Sequence, residues 1–332
     1  MKRLLSLALV VLLATVALVG FTPSALAAAG PAKKVEWPEK GKAVTVIVGY
    51  PAGGGVDVAA RLIGPILEKD LGVPFQVVNK VGAGGQIGLT ALANSKPDGY
   101  TIGYTINPTT AITYLDAARK AAYTRKSFQP IANQFMQPHA VAVAANSPYK
   151  TLKDLVDAAK AKPDKITHGT TGLGGATHMS ALQFQKAAGI KLATVHFDGD
   201  APQIAALLGG HIDVGIIPVA AILSHAKSGQ LRIFGIMDRE RSENAPGVMT
   251  LEEQGYKAYG ASVGGISAPA GVPQEMVTTL AEAIKRAVAT DQHKTKMGGL
   301  GYTVRFMDTA QYKAYWDTVD TDVPPLISSL RQ

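Results

Sequence analysis

The residues best placed to do chemistry in this chain are glycines. Gly49, Tyr50, Pro51, Ala52, Gly53, Gly54, Gly55, Val56 and Asp57 form one run, between an apolar stretch of strand character and a stretch of helical periodicity. Glycine lets main-chain N–H groups come close to an anion at the positive end of a helix, so this turn can hold a carboxylate without any arginine. Three successive glycines exceed what a plain tight turn requires. Asp57 and Arg61 stand four apart on the following helix and can pair on one face, a structural role, since an Asp57 facing a bound carboxylate would repel it. A second run repeats the device: Thr170, Thr171, Gly172, Leu173, Gly174, Gly175, Ala176 and Thr177 also pass from strand to helix. Two such turns could each hold one end of a dicarboxylate as a cleft closes. His178 follows the second turn and reads as a packing or capping residue. Asn107, Pro108 and Thr109 add a polar contact at a strand end, where ligands of parallel sheets collect.

These turns need strands and helices to aim them. Apolar, β-rich runs at residues 44–48, 75–79 and 101–105 alternate with helical patterns at 56–71 and 86–94, which predicts a parallel sheet covered on both faces. A second series begins near His139, with strands at 139–144, 166–170, 194–196, 214–218 and 231–236. Its helices fall at 177–188 and 201–208, after one opened by Thr151 with Asp154 as a capping box. Residues 255–269 are Gly-rich and extended, and helices are predicted over 273–290 and 309–330. The closing elements are assigned to the first series, because a clamp that hinges needs more than one chain crossing.

The N-terminus reads as a leader. Lys2 and Arg3 precede an apolar run over residues 4–21, and Ala25, Leu26 and Ala27 supply an A-x-A cleavage signal. No cysteine stands there to take a lipid. Removing Lys2 and Arg3 takes the formal charge from +8 to +6 (8 − 2), and the remaining Lys and Arg are scattered. That argues against nucleic acid as a partner and suits a small anion. A chain without cysteine must draw its stability in an oxidising compartment from a large core.

Other chemistries fit less well. Gly260, Ser262 and Gly264 spell G-x-S-x-G, with Asp291 and His293 downstream, so an exported α/β hydrolase using Ser262 is the alternative reading. A nucleophile elbow must pass from strand into helix, whereas Ser262 runs on into extended chain. Gly82, Gly84 and Gly88 resemble a dinucleotide fingerprint, but Ile87 occupies the third glycine position, so no cofactor is expected. His196 with Asp198 and His211 with Asp213 are isolated pairs and no metal is expected.

Taken together, several segments resemble the extracytoplasmic solute receptors of tripartite tricarboxylate transporters, the Bug-type receptors. They are residues 50–61 (YPAGGGVDVAAR), 79–88 (NKVGAGGQIG), 96–101 (KPDGYT), 199–202 (GDAP), 206–213 (ALLGGHID) and 268–273 (APAGVP). The resemblance implies an α/β, two-domain, periplasmic-binding-protein-like (type II) fold with a ligand cleft between domains. It implies a signal peptide at 1–27, a first domain of 28–138 plus 255–332 and a second of 139–254. It also implies a monomeric, non-enzymatic periplasmic receptor that hands its ligand to membrane transporter subunits. The first turn would grip a carboxylate through backbone amides and ordered water. Two departures bear on the ligand. Residues 172–178 carry fewer hydroxyls than the Ser-rich loop of relatives, and residues 215–221, including the candidate contacts Pro218 and Val219, are apolar where many relatives place an Asp. An apolar floor suits an aliphatic or aromatic dicarboxylate better than an amino acid, whose ammonium needs an acidic partner.

A receptor should gain thermal stability from its ligand and turn nothing over. Ligand at ~100 times its Kd adds about 2.7 kcal/mol. A thermal-shift screen of mono-, di- and tricarboxylates and aromatic acids checks this, and a compound consumed during the assay would instead mark an enzyme.

Overall fold

A computed structural model describes residues 37–329; the predicted leader at residues 1–27 lies outside them. The described residues form nine strands in one curled sheet. In chain order these are β1 (Val44–Val48), β2 (Phe75–Asn79), β3 (Thr101–Asn107), β4 (Phe128–Ala144), β5 (Thr167–Thr170), β6 (Ala193–His196), β7 (Val214–Pro218), β8 (Leu231–Ile236) and β9 (Ala261–Pro269). Their spatial order is β2-β1-β3-β9-β4-β7-β5-β6, with β8 pairing β4 as well. The helices are α1 (Gly55–Leu71), α2 (Gln86–Ala93), α3 (Thr109–Leu115), α4 (Leu152–Ala161), α5 (Ala176–Ala188), α6 (Asp200–Leu208), α7 (Val219–Lys227), α8 (Gln274–Ala289), α9 (Asp291–Gly299) and α10 (Thr309–Ser329).

The strand β4 carries the architecture. Its first part, Phe128 to Pro138, runs antiparallel to β9, and its last part, from His139, pairs β7 and β8. Because β1 pairs β3 in parallel and β3 and β4 both run antiparallel to β9, the strands β1, β3 and β4 all point the same way. The strands β5 and β7 point the other way. Register then brings opposed strand ends together. Asn107, ending β3, lies opposite Val263, which lies opposite Met136 of β4, while Pro218, ending β7, lies opposite His139.

Only the last third of β4 was predicted from sequence. Its first part reads as broken, because Pro130, Asn133, Gln134, Gln137 and Pro138 interrupt the apolar pattern. Register shifts between Pro130 and Ala132 and between Asn133 and Phe135 accommodate the irregularity. The buried amides are satisfied: Gln134 Nε2 donates to Ala59 O at 2.8 Å, and Asn133 Nδ2 donates to Arg305 O at 2.7 Å. Short helices α3, α7 and α9 also went unpredicted. They are Thr-rich, small-residue and polar in turn, and carry weak apolar periodicity. The capping box opening α4 is present, with Asp154 N–H donating to Thr151 Oγ1 at 3.1 Å.

Burial follows the same division. One core packs α1 and α8 on β1 and β3 through Ala59, Ile63, Val46, Ile102, Leu280 and Ile284. On the opposite face α2, α3 and α10 bury Leu89, Ile112, Tyr312 and Trp316, joined there by Met179 of α5. Two further cores lie wholly between residues 140 and 258, one under α4 and α5 and one under α6 and α7. The pair Gly264 and Gly265 in β9 makes room for an aromatic ring on each face. A Cβ at Gly264 would stand 2.1 Å from Phe135 Cζ, and one at Gly265 would stand 2.4 Å from Tyr312 Cζ. Gly265→Ala should therefore destabilise the protein by about 1–3 kcal/mol through overpacking. Urea denaturation against the wild type measures it, and an unchanged midpoint would show that the Tyr312 ring yields freely.

Candidate ligand cleft

Both glycine turns start a helix with no side-chain cap. Gly54 is the N-cap of α1 and Gly175 that of α5, and neither helix takes a side-chain hydrogen bond there. The first N–H groups of a helix lack intrahelical partners, so each turn presents donors at a partly positive helix end. In the first turn Gly53 has φ 77°, with nothing within 4 Å of where a Cβ would stand. Pro51, Ala52, Gly53 and Gly55 are exposed, and Gly54 accepts the first α1 bond from Val58 N–H at 2.9 Å.

Asp57 braces this turn. Its carboxylate accepts from Gly53 N–H at 2.9 Å, from Arg61 Nε at 2.9 Å and from Asn79 Nδ2 at 2.9 Å. Asn79 Nδ2 also reaches Tyr50 O at 3.0 Å. Arg61 holds the Asp57 carboxyl down to about pH 2, against opposing burial, with Gly53 and Asn79 adding to the effect. Of the turn residues, Asp57 thus has the structural role its spacing to Arg61 gave it: its oxygens are already taken.

The second turn is braced differently. Thr171 N–H donates to Thr177 Oγ1 at 2.8 Å, the two threonine hydroxyls meet at 2.8 Å, and Gly174 N–H donates to His178 Nδ1 at 3.0 Å. His178 therefore shapes the turn, as a capping residue would. Gly172 has φ 86° with open space beside it, while a Cβ at Gly175 would stand 2.6 Å from Thr171 O. Ala176 and Thr177 are buried.

The strand ends between the turns are buried. Asn107 is fully enclosed, donates from Nδ2 to the Tyr312 hydroxyl at 3.5 Å, and leaves Oδ1 without a partner among the described residues. Thr109 opens α3, and the buried, apolar Pro218 and Val219 pass from β7 into α7.

Two contact chains tie these parts together, and neither had a sequence signal. On one side the Tyr50 ring packs on Gly85, where a Cβ would stand 3.2 Å from the ring. Arg119 lies by Gly84, and its Nη2 donates to Leu173 O of the second turn at 3.4 Å. On the other side the Tyr302 hydroxyl lies 1.8 Å from where a Cβ of Gly55 would stand. A Cβ on Gly301 would stand 2.6 Å from Cα of Ala220, in the first turn of α7. Burial, with Asp200 adding to it, pushes the Tyr302 hydroxyl up to about 12.

Ser262 does not stand in a hydrolase site. It lies inside β9 opposite Gln137, and its hydroxyl meets His139 Nε2 at 3.2 Å. The other nitrogen, His139 Nδ1, meets Ser180 Oγ at 2.7 Å, so no carboxylate orients the ring. Burial lowers His139 to about 3, too weak a base to activate a hydroxyl. His293 is instead buried against Gln134 Nε2 at 3.0 Å.

Comparisons with known proteins bear on the family and the fold. A family model described as the tripartite tricarboxylate transporter family receptor matches residues 59–329. Protein BugT of Bordetella pertussis is 30% identical over 247 residues, covering 74% of this chain and 76% of BugT. A crystal structure of a TctC solute-binding protein from Polaromonas superposes with TM-score 0.79 at 27% identity, covering 88% of this chain and 99% of that one. MatC from Rhodopseudomonas palustris, solved with bound malate, gives TM-score 0.71 at 25% identity, covering 86% of this chain and 98% of MatC. The α/β fold is that of the periplasmic solute-binding proteins, and the matched family consists of receptors, not enzymes. Among the described residues no helix is long and apolar enough to cross a membrane.

Asp57→Ala should cost about 1–2 kcal/mol near neutral pH, a range discounted because Arg61 is half exposed. The sign follows from a depressed carboxyl: the contribution is present above its unfolded value of 3.8 and is lost as pH falls towards about 2. Equilibrium unfolding at pH 7 and pH 2.5 should show a gap between variant and wild type that closes in acid. An equal gap at both would assign the loss to packing.

Proposed function

From membership of the tripartite tricarboxylate transporter receptor family, to which this chain belongs, we propose that it captures a small organic dicarboxylate in the periplasm and delivers it to membrane transporter subunits. The observation that carries the reading is the pair of uncapped helices, α1 and α5, each opened by a glycine turn near opposed strand ends. One carboxylate docks on the amides after Gly53, the other on those after Gly174, and the body of the ligand rests on Pro218 and Val219. Tyr50, Asn107 and Thr109 line the first side; Thr171, Gly172 and Thr177 line the second. Binding of malate by MatC supports a dicarboxylate of this kind. The apolar floor favours an aliphatic or aromatic body over an amino acid.

The two lobes are residues 28–138 with 255–332, and 139–254, behind a leader at 1–27. The partner change of β4 at Pro138 and His139 supports the first crossing, and the confinement of two cores to residues 140–258 supports the second. Closure about these crossings brings the turns onto the ligand, and the closed receptor is what the transporter recognises. The receptor works as a monomer.

The test is calorimetry with malate and adipate on Gly53→Val and Gly172→Val. A β-branched residue is strained at φ 77° or 86° and places a side chain where main-chain donors must approach. Binding should fall at least tenfold, with the thermal transition of the unliganded protein moving by only a few degrees. Normal affinity in both variants would put the site elsewhere.

A further inference from the structure

Asp200 is the first residue of α6, behind Gly199 with φ 107°. Its carboxyl is partly enclosed and has no hydrogen bond or ion pair among the described residues. That distinguishes it from Asp57, whose oxygens are filled by Gly53, Arg61 and Asn79. Asp200 lies within electrostatic reach of the Tyr302 hydroxyl. That hydroxyl presses on Gly55, the first residue of α1. The segment that leads into α6 leaves β6 beside the second turn, with His196 opposite Thr170 and Phe197 N–H donating to Thr170 O at 2.9 Å. An unpaired acid thus stands one side chain away from the helix end where the ligand carboxylate is placed above.

An ionised Asp200 beside a bound carboxylate would meet uncompensated repulsion in a partly dry site, and two carboxyls in one site resolve this by sharing a proton. We propose that Asp200 is a ligand-binding residue that takes one proton from solvent when the dicarboxylate docks, and donates it as a hydrogen bond to a ligand carboxylate oxygen. This rests on the dicarboxylate reading above. Burial already raises the Asp200 carboxyl before any ligand arrives, which lowers the cost of the step. Tyr302 is the titratable group that feels its charge; Asp198, on the same chain segment, is exposed and lies before the helix. The sequence motif at residues 199–202 gave only family likeness and no role.

Isothermal titration with succinate and malate, at pH 6 and pH 8 and in buffers of different ionisation enthalpy, tests the idea on wild type and Asp200→Asn. The wild type should take up close to one proton per ligand at pH 8 and weaken by up to tenfold per pH unit as pH rises. Asp200→Asn supplies a neutral donor in the same place. It should bind both acids without proton uptake and with flat pH dependence. A wild type without proton uptake overturns the proposal. So does loss of binding in Asp200→Asn with aspartate preferred by the wild type, which would make Asp200 an ionised acceptor for a ligand ammonium. If neither protein binds any carboxylate, the dicarboxylate reading itself fails and the Asp200 proposal falls with it.

Discussion

The structure depends on one strand belonging to two sheet regions. At the point where β4 changes partners, backbone bonds lock three segments into a ring. His139 N–H donates to Gly260 O, Met237 N–H donates to His139 O, and Gly260 N–H donates to Met237 O, each at 2.8 Å. Register at this knot decides where every strand end lies. The end of β7 arrives opposite His139, and the end of β3 arrives opposite Val263, one strand beyond Met136. Thr109 and α3 follow the second of those ends, and Val219 and α7 follow the first.

On the reading proposed above, that constraint lets recognition be left to the main chain. Helix N-termini favour anions, and the glycine turns that open α1 and α5 follow β1 and β5, which belong to the two oppositely directed sets of strands. The side chains nearest the turns serve other ends. Asp57, Asn79 and Arg61 fix the first, and Thr171, Thr177 and His178 fix the second. Braced turns lose little further entropy when a ligand arrives, which keeps more of the interaction energy available for affinity.

Much of this was legible in the chain before any coordinates. The boundaries of β1, β2, β7 and β8 follow from apolar runs, and both turns follow from glycine between strand and helix. What escaped was set by tertiary packing. The first part of β4 looks polar because its amides are satisfied by distant groups, Ala59 O and Arg305 O among them. Tyr302 and Arg119 come from segments with no motif, and only folding sets one on Gly55 and the other on Leu173 O. Residues 214–218 are buried, as their apolar run implies.

The buried histidines bound what pH can do to such a receptor. His139 sits in the knot between Ser180 and Ser262, and burial holds it near 3. His168 and His178, beside the second turn, are lowered to about 3 and about 4 by burial, with repulsion from His196 adding to both. All are therefore neutral from mildly acidic pH upward and carry no charge into the cleft. Between about pH 3 and 6.5 the unfolded chain binds protons that these folded rings refuse, His178 giving way first at about 4. By linkage the fold weakens as pH drops through that window and gains nothing above it. Acid thus loosens the knot and the second turn while the Asp57 brace, held by Arg61, survives to lower pH. The two turns fail in sequence on acidification, the histidine-braced one first.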